Sequence, residues 1–535
     1  MRSRARAILS TERRLVAGAQ VRAGARAGYR GVGDGPGEPH VVRADFIGAS
    51  AGDVIPTGEA IACIVHLTDL HVTDAQSPAR FEFVNRMWGD PRFRELLTMQ
   101  RPHETLNTHA IAAMVRTINS VQSGPLTGAA PQVVAVTGDG IDNTQHNELA
   151  NLLALLGGGT VRPDSGAPGY DGVQRADWAG EIFWKPDGPE DGDSFQAGLG
   201  FPRHPGLLEE AMQPFESQGL ALPWLRCWGN HEEVCQGVGV VTRELSRRMA
   251  GSRKPIAMPP DIDPDSALET FVQAPERFMT DRYLEVAADP GRRPIERQDL
   301  LPESYYVHDA GPVRFITLDT VCGRGGADGS IDATQLHWLE RRLEEVHSRF
   351  RTRDGSVVPT RNENRYVVVL SHHGYDSLSN PRCEQRADEL LELLLRFDNV
   401  ILWLNGHIHG NRVVGRKGAR HGQGFWEVTT ASLVDWPCQA RLVEVFRTAA
   451  GALAIGCTML DHDGEGLAGL HRELAANVPD NGFDSWRPGR LSGDPHAFGA
   501  GSPVGIGKSH LPMNGEDMLR RARQWRIVRH RRWAW

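Results

Sequence analysis

Five short polar clusters constrain this chain more than any other feature, because each follows an apolar run. They are Asp69-Leu70-His71, Gly138-Asp139-Gly140-Ile141-Asp142-Asn143, Gly229-Asn230-His231-Glu232, Ser371-His372-His373 and Asn405-Gly406-His407-Ile408-His409. The runs before them, residues 60–67, 132–137, 222–228, 365–370 and 400–404, have the length and apolar continuity of strands buried on both faces. Turn chemistry explains Gly, Asn, Asp and Ser at strand ends, but not paired His.

Helical spacing fills the gaps. Residues 105–121, 146–156, 334–346 and 387–397 carry apolar side chains on one helical face. Strand alternating with helix predicts a layered α/β sheet, whose ligands gather at the carboxyl ends of the strands. A further strand is expected at 313–319. Three more, at 425–430, 440–445 and 453–459, have no helices between them, which predicts antiparallel pairing late in the domain.

The chain divides into a basic tail at 1–45, read as disordered, a core domain at 46–460 and an irregular extension at 461–535. Gly/Pro/Asp-rich stretches at about 157–221 and 237–304 read as insertions over one end of the sheet. The acids Asp187, Glu190, Asp191 and Asp193 do not have calcium-loop spacing and read as a solvated loop. The terminal Arg/Trp segment, 518–535, reads as a helix packed on the domain with Arg outward, rather than a membrane or nucleic-acid contact.

A net charge of −8 gives no basic field over the molecule, so bulk nucleic-acid binding is not implied. Seven scattered cysteines without CxxC spacing argue against a disulfide framework and for a reducing compartment. No run has the length of a transmembrane helix, and the N-terminus lacks a continuous apolar stretch for a signal peptide. The expectation is therefore a cytoplasmic protein.

The clusters themselves suit hard cations, which take carboxylate oxygen and imidazole nitrogen. Two ions about 3.5–4 Å apart need a bridging ligand, and Asp139 is the candidate, with Gly138 and Gly140 letting the backbone turn sharply beside it. Asp69 and His71, like His407 and His409, are two residues apart and would point the same way from an extended segment. Asn230 adds a neutral oxygen.

In this order the clusters resemble the signature of the calcineurin-like metallophosphoesterase superfamily: D-x-H, G-D-x-x-D, G-N-H-[DE], a His often followed by His-Pro, and G-H-x-H. The stretch from Gly424 to Ser432, with Asp435-Trp436-Pro437, resembles a bacterial subgroup with large insertions. The resemblance implies an α-β-β-α sandwich with long loop insertions. It implies two divalent or trivalent ions (Mn, Fe or Zn), one held by Asp69, His71 and His409, the other by Asn230, His372 and His407, with Asp139 between. It implies hydrolysis of phosphate esters by a hydroxide shared between the ions, diesters slightly ahead of monoesters. His231 would face the scissile phosphate and protonate the leaving oxygen, and Asp142 would orient it. Asn143 and His373 would lie behind the ligands or touch substrate. Two departures stand out: Gly374 where relatives often have Pro, and Glu232 where many have Asp.

The substrate expected is a small-molecule or nucleotide phosphoester. A non-catalytic metal-binding module on the same fold, and a nuclease using the C-terminal basic segment, are the alternatives. His66, His103, His109 and His146 read as bystanders, and Asp319 and Thr320 as structural.

Overall fold

The computed structural model describes residues 8–43, 45–46, 56–301, 303–420, 422–479, 482–483 and 502–507. Two sheets pack face to face. The first runs through β1 (Pro56–Leu67), β2 (Val133–Val136) and β3 (Trp224–Arg226), all parallel. The second contains β4 (Tyr306–Ala310), β5 (Val313–Thr317), β6 (Tyr366–Leu370), β7 (Val400–Asn405), β8 (Arg412–Lys417) and β9 (Gly424–Thr429). Its spatial order is β4-β5-β6-β7-β9-β8, with β5, β6, β7 and β9 parallel. The last two strands, β10 (Gln439–Thr448) and β11 (Leu453–Asp461), pair antiparallel and join the first sheet beside β1.

Strand alternation explains the layering. Ile64 points to the other sheet with Val133, Phe315, Val368, Leu370, Leu402 and Val428. Its neighbours Cys63, Val65 and Leu67 point outward to helices α1 (Asn107–Ser120) and α2 (His146–Gly157), meeting Ile111, Met114, Leu152 and Leu155. On the far side Val367 and Val369 meet Leu339, Leu343, Leu390 and Leu394 of α3 (Ala333–Glu344) and α4 (Ala387–Leu395). A side chain of this size contributes roughly 1.5–3 kcal/mol when fully buried, so both faces of each central strand favour this register. The result is the expected α-β-β-α sandwich. The five clusters all follow the carboxyl ends of β1, β2, β3, β6 and β7, which are parallel within each sheet.

Several expectations are corrected. Residues 8–43 are not a disordered tail: Arg13–Ala23 and Gly28–Pro36 form an antiparallel hairpin, and Ile8–Leu9 pairs with β11. Leu15 and Tyr29 are buried by it. Frequent Gly and Arg hid the strand alternation. The insertion acids are not simply solvated either. Asp191 pairs with Arg22 of the hairpin at 2.7 Å, and Asp193 is buried and caps Ser194–Leu199 through the Phe195 and Gln196 amides. The second insertion buries its own apolar cluster, Met249, Ile262, Phe271 and Phe278, against Phe81 and Phe93. In the C-terminal extension α5 (Leu467–Ala476) packs on α1; residues 518–535 lie outside the described residues. Cys322 and Cys383 form a disulfide, against the expectation of fully reduced thiols, because the fold brings their Cα atoms to 5.9 Å. Among the described residues no helix is long and apolar enough to cross a membrane.

Candidate metal centre

The donor-bearing loops do not run extended as expected. Asp69, His71, Asp139, His407 and His409 all have positive φ, between 48° and 70°. Left-handed backbone is uncommon for such residues and gathers at functional sites. From these left-handed turns Asp69 and His71 reach one donor group, while His407 and His409, two residues apart, reach different ones. Close backbone approach is needed as well. A Cβ on Gly406 would fall 2.0 Å from Thr68 Oγ1 and 2.4 Å from Asp69 Oδ2, and one on Gly229 would fall 2.2 Å from Asp139 Oδ1.

Two donor groups result. In the first, His409 Nε2 lies 3.2 Å from Asp69 Oδ1 and 3.2 Å from His71 Nε2. In the second, Asn230 Oδ1 lies 3.0 Å from His372 Nε2 and 3.1 Å from His407 Nδ1. Asp139 Oδ2 lies between them, 3.1 Å from His372 Nε2 and 3.8 Å from His71 Nε2. Every side chain predicted to hold metal is brought together, in the two groups predicted.

The donor chemistry fits cations. His71 Nδ1 donates to Asp142 Oδ1 at 2.8 Å, and His409 Nδ1 donates to Asp435 Oδ2 at 2.6 Å. Both Nε2 lone pairs are therefore directed toward each other across 3.2 Å, an arrangement that repels unless a positive charge lies between. His372 repeats this: Nδ1 donates to Thr137 O at 2.8 Å, leaving Nε2 to face two oxygens. Burial disfavours a charged His372 ring, yet Asp139, Asp69 and the Thr137 carbonyl together outweigh it and raise the pKa to about 9. The pocket asks for positive charge at this point.

Asp139 is fixed by its surroundings. Its Oδ1 accepts the His231 amide at 2.9 Å. Glu232 accepts the amides of Gly229, Asp139 and Gly140 at 2.7, 3.1 and 2.8 Å, so its longer side chain ties two motif turns together. Burial, then the Asp139 charge, raise the Glu232 pKa to about 7. Gly138 has the expected positive φ of 91°, whereas Gly140 does not need one. The Gly374 departure has a packing reason: a Cβ there would lie 2.4 Å from Glu427 Oε1.

His231 is set apart from the donors. Its Nδ1 lies 3.2 Å from both Asp142 Oδ1 and Asp142 O, and its Nε2 is 4.0 Å from Asp139 Oδ2. Burial lowers its pKa, but the Asp139 and Asp142 carboxylates outweigh burial and hold it above the usual imidazole value. Asp142 thus touches His231 as expected and His71 as well.

Asn143 is buried, with Oδ1 accepting the Gln236 amide and Nδ2 donating to Ala79 O. It ties its loop to the Gln236 and Ala79 backbone. His373 is buried and bonded through both ring nitrogens, to Thr320 Oγ1 and Ala327 O, each at 2.9 Å. It packs behind His372 and His407. The four bystander histidines are not brought into either donor group.

Three residues were missed as site residues. Arg80 donates to Asp142 and, at 2.7 Å, to Glu104. Arg101 donates to both oxygens of Asp435, at 2.9 and 3.2 Å. Asp435 lay within the resembling segment 424–437 without a role, and no local spacing links it to His409.

A family profile for calcineurin-like phosphoesterases matches residues 191–411. No curated protein matches the chain. Among solved structures, it is similar to a dimetal phosphatase from Danio rerio, at 10% identity over 76% of this chain and 99% of that one, with a TM-score of 0.34. It is also similar to GAP50, the anchor in the inner membrane complex of Plasmodium, at 10% identity over 73% and 85%, with a TM-score of 0.27.

Proposed function

We propose, taking the resemblance to the calcineurin-like phosphoesterases as premise, that this chain hydrolyses phosphate esters with the help of two metal ions. Metal-dependent phosphoester hydrolysis is the general chemistry that the match and the donor set support. The observation that carries the reading is the pair of donor groups meeting at Asp139 Oδ2, with imidazole lone pairs that face other acceptors.

Asp69, His71 and His409 would hold one ion, Asn230, His372 and His407 the other, and Asp139 both. Ions bound there supply an acidified water and positive charge for the phosphoryl oxygens. The protein's part is orientation and proton transfer. Asp142 holds His231 through Nδ1, which leaves Nε2 to carry a proton to the departing oxygen. The carboxylate keeps that ring in one tautomer and stabilises its charged form. Among the described residues, the arginines that reach the carboxylates behind the site, Arg80 and Arg101, are engaged by Asp142 and Asp435. That favours a phosphodiester, with one ionisable oxygen, over a monoester dianion.

The test is metal analysis followed by turnover of bis(4-nitrophenyl) phosphate and 4-nitrophenyl phosphate in Mn²⁺. Two ions per chain and faster diester turnover are expected, with Asp139→Asn slower by at least about 10²-fold. Undiminished turnover in Asp139→Asn would contradict the bridging role. Bound metal without turnover of either ester would favour a binding module. Turnover of DNA that falls steeply with salt, and that disappears on deleting 518–535, would favour a nuclease.

A further inference from the structure

We infer that Asp435, clamped by Arg101, is a positioning residue for His409: it fixes the ring so that Nε2, and not Nδ1, faces the metal. The inference rests on the two-metal reading above and deepens it. Asp435 lies outside the residues that match the family profile, on the segment just past β9.

The geometry is specific at each step. Asp435 is buried, and its Oδ2 accepts the His409 Nδ1 hydrogen at 2.6 Å. Arg101 grips the same carboxylate with Nε on Oδ1 and Nη2 on Oδ2. A fork of this kind sets both the position and the plane of the carboxylate. The segment carrying Asp435 is itself pinned to the first donor loop. The amides of Leu433 and Val434 donate to Asp69 O at 3.1 and 3.3 Å, and the Asp435 amide donates to Ser432 Oγ at 3.1 Å. One short stretch therefore holds the backbone of Asp69 and the side chain of His409 in common register.

The tautomer argument makes the role testable. A carboxylate is only an acceptor, so it obliges His409 to place its proton on Nδ1 and its lone pair on Nε2. An amide at 435 is nearly the same shape but also donates. It lets Nδ1 become the acceptor and moves the proton to Nε2, where it blocks the ion. His71 and Asp142 show the same arrangement on the neighbouring ring, at 2.8 Å.

The experiment titrates Mn²⁺ into metal-free full-length protein by calorimetry, and reads the visible absorption of the Co²⁺-loaded form. Two binding steps are expected for the wild type. In Asp435→Asn one step should weaken by about 10–100-fold, the other should stay, and the Co²⁺ bands should change for one site only. Arg101→Gln should weaken the same step less. In a His409→Ala background Asp435→Asn should add nothing, since the two residues act as one unit. Unchanged steps in Asp435→Asn, equal loss at both steps, or further loss in the His409→Ala background would overturn the inference. If Asp435→Asn does not fold, an unchanged titration for Arg101→Gln overturns it instead. A wild type that takes no metal would overturn the two-metal reading and this inference with it.

Discussion

Two histidine–carboxylate–arginine relays stand side by side behind the first donor group, and they are built differently. His71, Asp142 and Arg80 form one; His409, Asp435 and Arg101 form the other. Arg80 is buried and shared among Asp142, Glu104 and Glu82, while Lys254 of the second insertion approaches Glu82 at 2.5 Å. Among the described residues the Arg101 side chain bonds only Asp435, although its amide also donates to Glu104 at 3.0 Å, and that side chain is 11% exposed. Asp142 bonds the rings of both His71 and His231, and Asp435 bonds that of His409. The first relay is thus part of the core and of the proton-transfer apparatus proposed above, whereas the second is a local clamp on one proposed ligand.

The largest expected effect separates these roles in catalysis. His231→Ala should lower kcat by about 10²–10⁴-fold on an alkyl ester, and much less on a nitrophenyl ester whose leaving group needs no proton. Equal losses on both esters would remove His231 as the acid. Next comes stability. Arg80→Ala leaves three carboxylates around a vacated buried position and should cost about 3–5 kcal/mol in urea unfolding. Arg101→Ala, nearer water, should cost about 1–2 kcal/mol; equal losses would erase the contrast between core and clamp. Smaller again is the response to excess metal. Asp435→Asn should regain most of its kcat at saturating Mn²⁺. Asp142→Asn should not, because His231 remains misoriented.

The smallest effect concerns pH. Arg80 favours the Glu104 anion, but burial together with Glu82 and Asp142 outweighs it and raises the Glu104 pKa to about 7. A pKa raised in the folded state gives stability that is complete below the ordinary value of 4.5 and is lost as pH rises through 7. Glu104→Gln should remove a slope of at most about 1.4 kcal/mol per pH unit between those limits. An unchanged pH profile of stability would show that Glu104 titrates alike in the folded and unfolded chain.

The contrast also marks what could be read in advance. Strand runs and helical spacing predicted the layers because each central strand is buried on both faces and each helix on one. The clusters that converge could be named in advance because they combine His, Asp and Asn at strand ends in a set order. Asp435 and Arg101 were not, since their pairing spans 334 residues and is made by a loop with no periodicity. The N-terminal hairpin was hidden for another reason: Gly and Arg dominate its strands, and only a few positions, such as Leu15 and Tyr29, carry its burial. The insertions looked irregular because contacts between residues distant in the chain hold them, buried ion pairs among them, as with Arg292 on Asp74 at 2.8 Å.

The left-handed donors bear on transplantation. Five of the side chains that would grip metal leave the backbone at angles that ordinary strands and helices do not offer. Copying their identities onto a foreign scaffold would reproduce the composition of the centre but aim its atoms elsewhere. Such a graft must carry the curled loops, and the small residues that let them nest, as a single inherited piece.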